Sequence, residues 1–138
     1  MEPFQVHILA ADQTFYEGPC ESMIISTSHG QHGIWAHHCN LIAAVKPGTL
    51  YYRIPGEDMK MAAVSMGMLK IENNEVLVLV DSAERPEEID EARAKREADQ
   101  AREILLQKRS RQEYQIAQGN LARALNRLRV KSHMGPNN

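Results

Sequence analysis

Four of the chain's six histidines, His29, His32, His37 and His38, fall within ten residues and run into Cys39. Imidazole and thiolate groups so close together are metal-ligand chemistry, and a small metal- or ligand-binding β module is the alternative reading of the chain. No second Cys-x-x-Cys arm supports it, so the expectation is solvated or packed loop histidines with no resident metal. Asp81, Ser82 and Glu84 are the other chemically capable group. No histidine is placed to serve Ser82, and the order fits no nucleophile elbow. Gly30-Gln31-His32-Gly33 is too short for a phosphate loop and lacks the following helix. No catalytic residue is therefore assigned, and ATP hydrolysis by this chain alone is not expected.

Charge divides the chain more sharply than any motif. Met1 to Ile89 holds 5 basic and 12 acidic residues, a net of −7; Asp90 to Asn138 holds 11 basic and 6 acidic, a net of +5. A basic C-terminal part calls for an acidic partner. Nucleic acid is not that partner, because Tyr114 is the one aromatic residue there and stacking lacks a platform. Direct membrane insertion is not expected either, since the helical stripe is alanine-rich and no apolar run approaches the roughly 20 residues of a span. Met1-Glu2-Pro3-Phe4 lacks the start of a signal peptide, and two cysteines without metal-like spacing read as reduced thiols. Both point to a cytoplasm-like compartment.

The elements that must carry these residues change type near Ile89. Before it, Phe4–Leu9, Phe15–Glu17, Met23–Thr27, Leu41–Val45, Thr49–Ile54, Lys60–Val64, Gly67–Ile71 and Glu75–Val80 read as short strands. Gly18-Pro19, Lys46-Pro47-Gly48 and Pro55-Gly56 punctuate them, and Asn73-Asn74 closes a hairpin. Eight or nine strands without an intervening helix predict antiparallel pairing and closure as a sandwich or barrel. At 138 residues there is room for one modest core with a small appendage.

After Ile89 the period becomes helical. A helix opens at Glu87-Glu88-Ile89-Asp90, with Pro86 near its first turn. Ala94, Ala98, Ala101 and Leu105, with Ile104, form one narrow stripe; Tyr114, Ala117, Leu121, Ala124 or Leu125, and Leu128 form a second, ending near Val130. Two such helices make an antiparallel hairpin. Alanine buries little area, so at roughly 25 cal/mol per Å² the clasp is weak. The hairpin is read as conditionally docked, against the alternative of a permanent helical cap.

In order along the chain, Gly30-Gln31-His32-Gly33-Ile34-Trp35, Lys46-Pro47-Gly48, Ser65-Met66-Gly67, Asp90-Glu91-Ala92-Arg93-Ala94 and Arg123-Ala124-Leu125-Asn126-Arg127-Leu128 resemble the epsilon-subunit family of F-type ATP synthases. The resemblance implies a fold of mainly β plus α: a β-sandwich of about ten strands over residues 1–86, then a two-helix regulatory hairpin over 87–138. It implies a non-catalytic central-stalk subunit at the cytoplasmic face of the bacterial plasma membrane. The sandwich would grip the gamma subunit and the c-ring and couple ion flow to ATP synthesis. The hairpin would extend towards the alpha and beta subunits and inhibit hydrolysis.

The same resemblance implies site residues. No cofactor is required, but ATP is a regulatory ligand in some members, at positions matching Glu84, Ile89, Asp90, Arg93, Ala94, Arg123 and Arg127. Arginines from two helices suit a phosphate clamp. Asp90 as a helix cap and Arg93 as a surface ion pair is the plainer account of those two. Gln100 stands where ATP-binding members carry a further arginine. Gln31, His32, Ile34, Trp35 and His38 match the loop facing gamma and the c-ring, and Arg111, Arg123, Arg127 and Arg129 are the basic inhibitory face. The family's P-G-H-A-P is here Ala36-His37-His38-Cys39-Asn40, which implies an adapted partner surface or a mobile loop.

Overall fold

The computed structural model describes residues 2–106 and 111–132, with only the backbone of Arg111. The chain forms two compact units, Met1–Glu84 and Arg85–Asn138.

The first unit is all β. Its strands are β1 Phe4–Ala10, β2 Thr14–Cys20, β3 Ser22–Thr27, β4 Gly30–Ile34, β5 Leu41–Val45, β6 Gly48–Arg53, β7 Lys60–Val64, β8 Gly67–Glu72, β9 Glu75–Val80 and β10 Ala83–Glu84. Alternation sets the layers: Phe4, Val6 and Ile8 point inward from β1, and Met23 and Ile25 from β3. They meet Ile34, Leu50, Tyr52, Leu69, Ile71, Val76 and Val78 in one dry core. The pairing path β10-β7-β6-β3-β5-β8-β9-β1-β2 folds over as a sandwich. β3 makes the corner. Its start pairs β6 through Ser22–Ile24, its end meets β5 at Thr27, and β4 runs along its other edge.

Two strands escape the sequence expectation. β4 is polar except at Ile34, and β10 has two residues, so neither shows alternation. One ladder also departs from the antiparallel expectation: β1 and β9 pair parallel, Gln5↔Glu75 to Ala10↔Val80. Paired residues stand 70 positions apart in sequence, as Gln5 does from Glu75, so no short turn dictates their direction. The Asn73-Asn74 turn is as expected, both residues at positive φ, 51° and 62°. Ser65 and Ser82 are locked together, the Ser82 N–H donating to Ser65 Oγ at 2.8 Å and the Ser65 N–H to the Ser82 carbonyl at 3.0 Å. Cys20 is buried and Cys39 exposed, both as free thiols. Burial raises the Cys20 pKa above the ordinary thiol range.

The second unit begins with a 3-10 turn, Pro86–Glu88, with Pro at its start. The helix does not run on from there. Ile89 is extended, and α1 spans Glu91–Leu106. Asp90 resets the start: its Oδ1 accepts from the Arg93 N–H at 3.1 Å, and its carbonyl accepts from Ala94 N–H at 3.0 Å. α2 spans Arg111–Ser132. Ala94, Ala98 and Ala101 are buried on α1, and Ala117, Ala124, Asn126 and Val130 on α2. Tyr114, expected in the second stripe, is not buried in the seam: it is 41% exposed. Residues 107–110 lie outside the described residues. Lys131 Nζ donates to the Pro86 carbonyl at 3.4 Å, so the end of α2 returns to the unit's first turn.

Gly67 opens β8 where β9 crosses at contact distance. A Cβ there would lie 1.9 Å from the Leu79 carbonyl oxygen and 2.7 Å from Val80 Cα. Only backbone movement relieves that, so Gly67→Ala is expected to cost the sandwich about 1–3 kcal/mol. The check is thermal unfolding, with a fall of roughly 4–8 °C per kcal/mol.

Candidate functional site

Two groups of candidate residues occupy the two units, and each is built by its own local structure.

In the sandwich, β4 and the following loop present the partner-facing candidates. Gln31 and His32 leave β4 opposite Ser26 and Ile25. Gln31 is exposed and His32 half-buried. Ile34 is sealed in the core at 0% exposure, so its side chain packs and has no surface to offer a partner. Trp35 is 51% exposed, and its indole lies across Gly33, where a Cβ would sit 2.7 Å from the ring. Gly33 and the aromatic residue two places on therefore belong together sterically.

The loop after Trp35 is anchored rather than loose. His37 adopts φ 63°, and its N–H donates to Asn74 Oδ1 at 2.6 Å. Asn40 Oδ1 accepts from the Asn73 N–H at 3.4 Å. His37 Nε2 lies 2.9 Å from Glu2 Oε2. His32 and His38 face each other, Nε2 to Nε2 at 2.8 Å. Burial, then the neighbouring His38, lowers the His32 pKa below the ordinary histidine value. Among the described residues no group of three or more His, Cys, Asp or Glu could hold a metal ion.

In the helical unit two of the candidate arginines share one acid that the sequence reading did not single out. Glu97 Oε1 accepts from Arg93 Nε at 3.1 Å, and its Oε2 accepts from Arg127 Nη1 at 2.9 Å. One carboxylate thus ties α1 to α2 and joins two of the expected phosphate-clamp arginines. The signal was present: Glu97 is four residues after Arg93 and next to the buried Ala98. Arg123 does not join them; its guanidinium bonds Asn120 Oδ1 and lies over Gly119. Asp90 is an N-cap and Ala94 is buried in the seam. Ile89 is buried too, at 4% exposure. Gln100 and Arg129 are exposed. The Arg111 side chain lies outside the described residues. Glu84 belongs to the first unit, where β10 pairs it with Ala63. Shallow depressions of about 380 and 320 Å³ lie over β8 and its neighbours, around Lys70 and Glu72, and neither takes in a candidate arginine.

Comparison with known proteins follows the same division. Residues 3–86 match the family model described as "ATP synthase, Delta/Epsilon chain, beta-sandwich domain", and residues 87–132 match "ATP synthase, Delta/Epsilon chain, long alpha-helix domain". The ATP synthase epsilon chain of Caldanaerobacter subterraneus subsp. tengcongensis is 40% identical over 130 residues, covering 94% of each chain. That of Ruminiclostridium cellulolyticum is 38% identical over 128 residues, 93% of this chain and 95% of the relative. In fold, the chain is similar to one in the Euglena gracilis mitochondrial ATP synthase OSCP/F1/c-ring structure, with a TM-score of 0.76 at 21% identity, covering 98% of this chain and 84% of that one.

Two measurements test the site. His32 should titrate below the ordinary histidine pKa of about 6.5 in an NMR pH series. Because its folded pKa is depressed, the stability it contributes is present above about pH 6.5 and lost as pH falls through the folded value. Titration at or above the ordinary value would contradict the half-buried pairing with His38. In the hairpin, Asp90→Ala should cost about 1 kcal/mol by removing the cap. Glu97→Gln should cost about 0.2–1 kcal/mol, carried mostly by the Arg127 arm because Arg93 is largely in water. Thermal loss of helical circular dichroism reads both.

Proposed function

The chain belongs to the delta/epsilon chain family of ATP synthases, and from that premise we propose that it works as a non-catalytic subunit of the central rotor whose helical hairpin restrains ATP hydrolysis. The sandwich is the mechanical part. It would bind the gamma subunit and the c-ring, coupling ion flow to ATP synthesis, through the β4 face that carries Gln31, His32, Trp35 and His38. Peripheral placement at the cytoplasmic face of the bacterial plasma membrane goes with that role. No helix among the described residues is long and apolar enough to cross a membrane.

The observation that carries the regulatory half is the Glu97 bridge between Arg93 and Arg127. In the closed hairpin it neutralises part of the basic face. From Arg111 to Lys131 the chain has 5 basic residues and 1 acidic one. Opening would separate Arg127 from Glu97 and release that charge towards acidic surfaces of the alpha and beta subunits. The alanine seam makes such opening affordable in free energy, because so little apolar area is re-exposed.

ATP is the ligand proposed to hold the hairpin closed. Arg93 and Arg127 already converge on one carboxylate, and a phosphate group could replace it with more acceptor oxygens. Arg123 would have to leave Asn120 to take part, and Gln100 offers no charge. A ligand favouring the closed form shifts the population only by its differential affinity.

The test is ATP hydrolysis by the parent synthase with the subunit intact and with it cut after Glu88. The cut spares β10 and hence the sandwich. A severalfold rise in hydrolysis, with ion pumping retained, is the expected outcome. An unchanged rate would remove the inhibitory role and leave the hairpin structural.

A further inference from the structure

His32 and His38, which lie on the face proposed to meet gamma and the c-ring, also make an arrangement of their own, separate from the arginines. Their rings stand edge to face, centroids 4.8 Å apart at 67°, with the two Nε2 atoms 2.8 Å apart. The His38 Nδ1–H donates to the Cys39 carbonyl at 2.6 Å. That bond selects the tautomer whose Nε2 carries a free lone pair, and a carbonyl partner of this kind is the usual orienting contact of a metal-ligating histidine. In the metal-free protein, His32 Nε2–H then donates into that lone pair. A cation could take both nitrogens once the His32 proton moves, through solvent, from Nε2 to Nδ1, leaving both imidazoles neutral.

We propose that His32 and His38 form a two-imidazole chelate for a divalent first-row transition ion, with Ni²⁺ or Cu²⁺ fitting better than Zn²⁺. Metal–nitrogen bonds are about 2.0–2.1 Å. Across a nitrogen separation of 2.8 Å they enclose roughly 90° at the metal, the angle of square-planar or octahedral coordination rather than tetrahedral. Both side chains are half-buried, so water would fill the remaining positions on a bound ion. His37 is not a third ligand; its Nε2 is paired with Glu2.

The pair is preorganised. His32 is held by the β3–β4 ladder, where it opposes Ile25. The backbone on either side of His38 is pinned to the Asn73-Asn74 turn, through His37 N–H and Asn40 Oδ1. Little ordering is left for binding to impose. Bound metal would staple the loop to β4.

Calorimetric titration of the untagged full-length chain with NiCl₂ at neutral pH tests this. One Ni²⁺ per chain is expected, with affinity lowered at least tenfold by His32→Leu or by His38→Gln. His29→Gln and Cys39→Ser should bind as the native chain does. His38 sits in a loop outside the core, so His38→Gln remains informative if His32→Leu disturbs β4; far-UV circular dichroism monitors the fold. Absence of saturable binding overturns the proposal. So does binding that survives the double substitution, or an equal loss in Cys39→Ser, which would put the ion on the thiol.

Discussion

The close approach of α1 and α2 is the constraint on which the helical unit depends. Ala94, Ala98 and Ala101 on one helix, with Ala117 and Ala124 on the other, are buried because a larger side chain would hold the backbones apart. The same smallness limits what the seam contributes. The sandwich buries Ile8, Met23, Ile25, Ile34, Leu50 and Leu69 completely, whereas an alanine removes only a methyl group from water. The Glu97 bridge to Arg93 and Arg127 adds an electrostatic clasp, but one partly exposed to solvent and so worth little more than about 1 kcal/mol. The hairpin is thus held by many small terms and one polar hinge-pin, the profile of an element at the low-stability end of a fold.

Much of the fold is legible in the residues. Alternation exposes β1, β3, β8 and β9; Asn73-Asn74 announces its own turn; alanine at helical spacing announces α1. What escapes has no local pattern. β4 is read as loop because only Ile34 is apolar and its partner lies across a tight turn. The parallel β1–β9 ladder joins segments far apart in the chain. The first helix begins later than its acidic run implies, because Asp90 caps at its own position and Pro86–Glu88 winds separately.

The candidate site is less legible, for a related reason. Arg93 and Arg127 come from the family resemblance, but their junction at Glu97 requires the register between two helices, which no single helix encodes. Asp90 as cap and Arg93 in a surface pair are the plainer accounts, and both describe the closed hairpin. They do not oppose a ligand role, since the same arginines could change partners. In the sandwich, the Ala36–Asn40 loop is anchored through Asn74 and through its own Asn40, so it is a built structure. The two units differ in charge: an acidic sandwich and a basic pair of helices.

The weak seam implies that the hairpin opens far more readily than the sandwich. Native-state amide hydrogen exchange on the full chain tests it most directly. The amides of α1 and α2 are expected to exchange with markedly lower protection than those of β1, β3, β8 and β9, and added ATP is expected to raise hairpin protection alone. Equal protection in helices and strands, unmoved by ATP, would contradict it and make the hairpin a permanent cap.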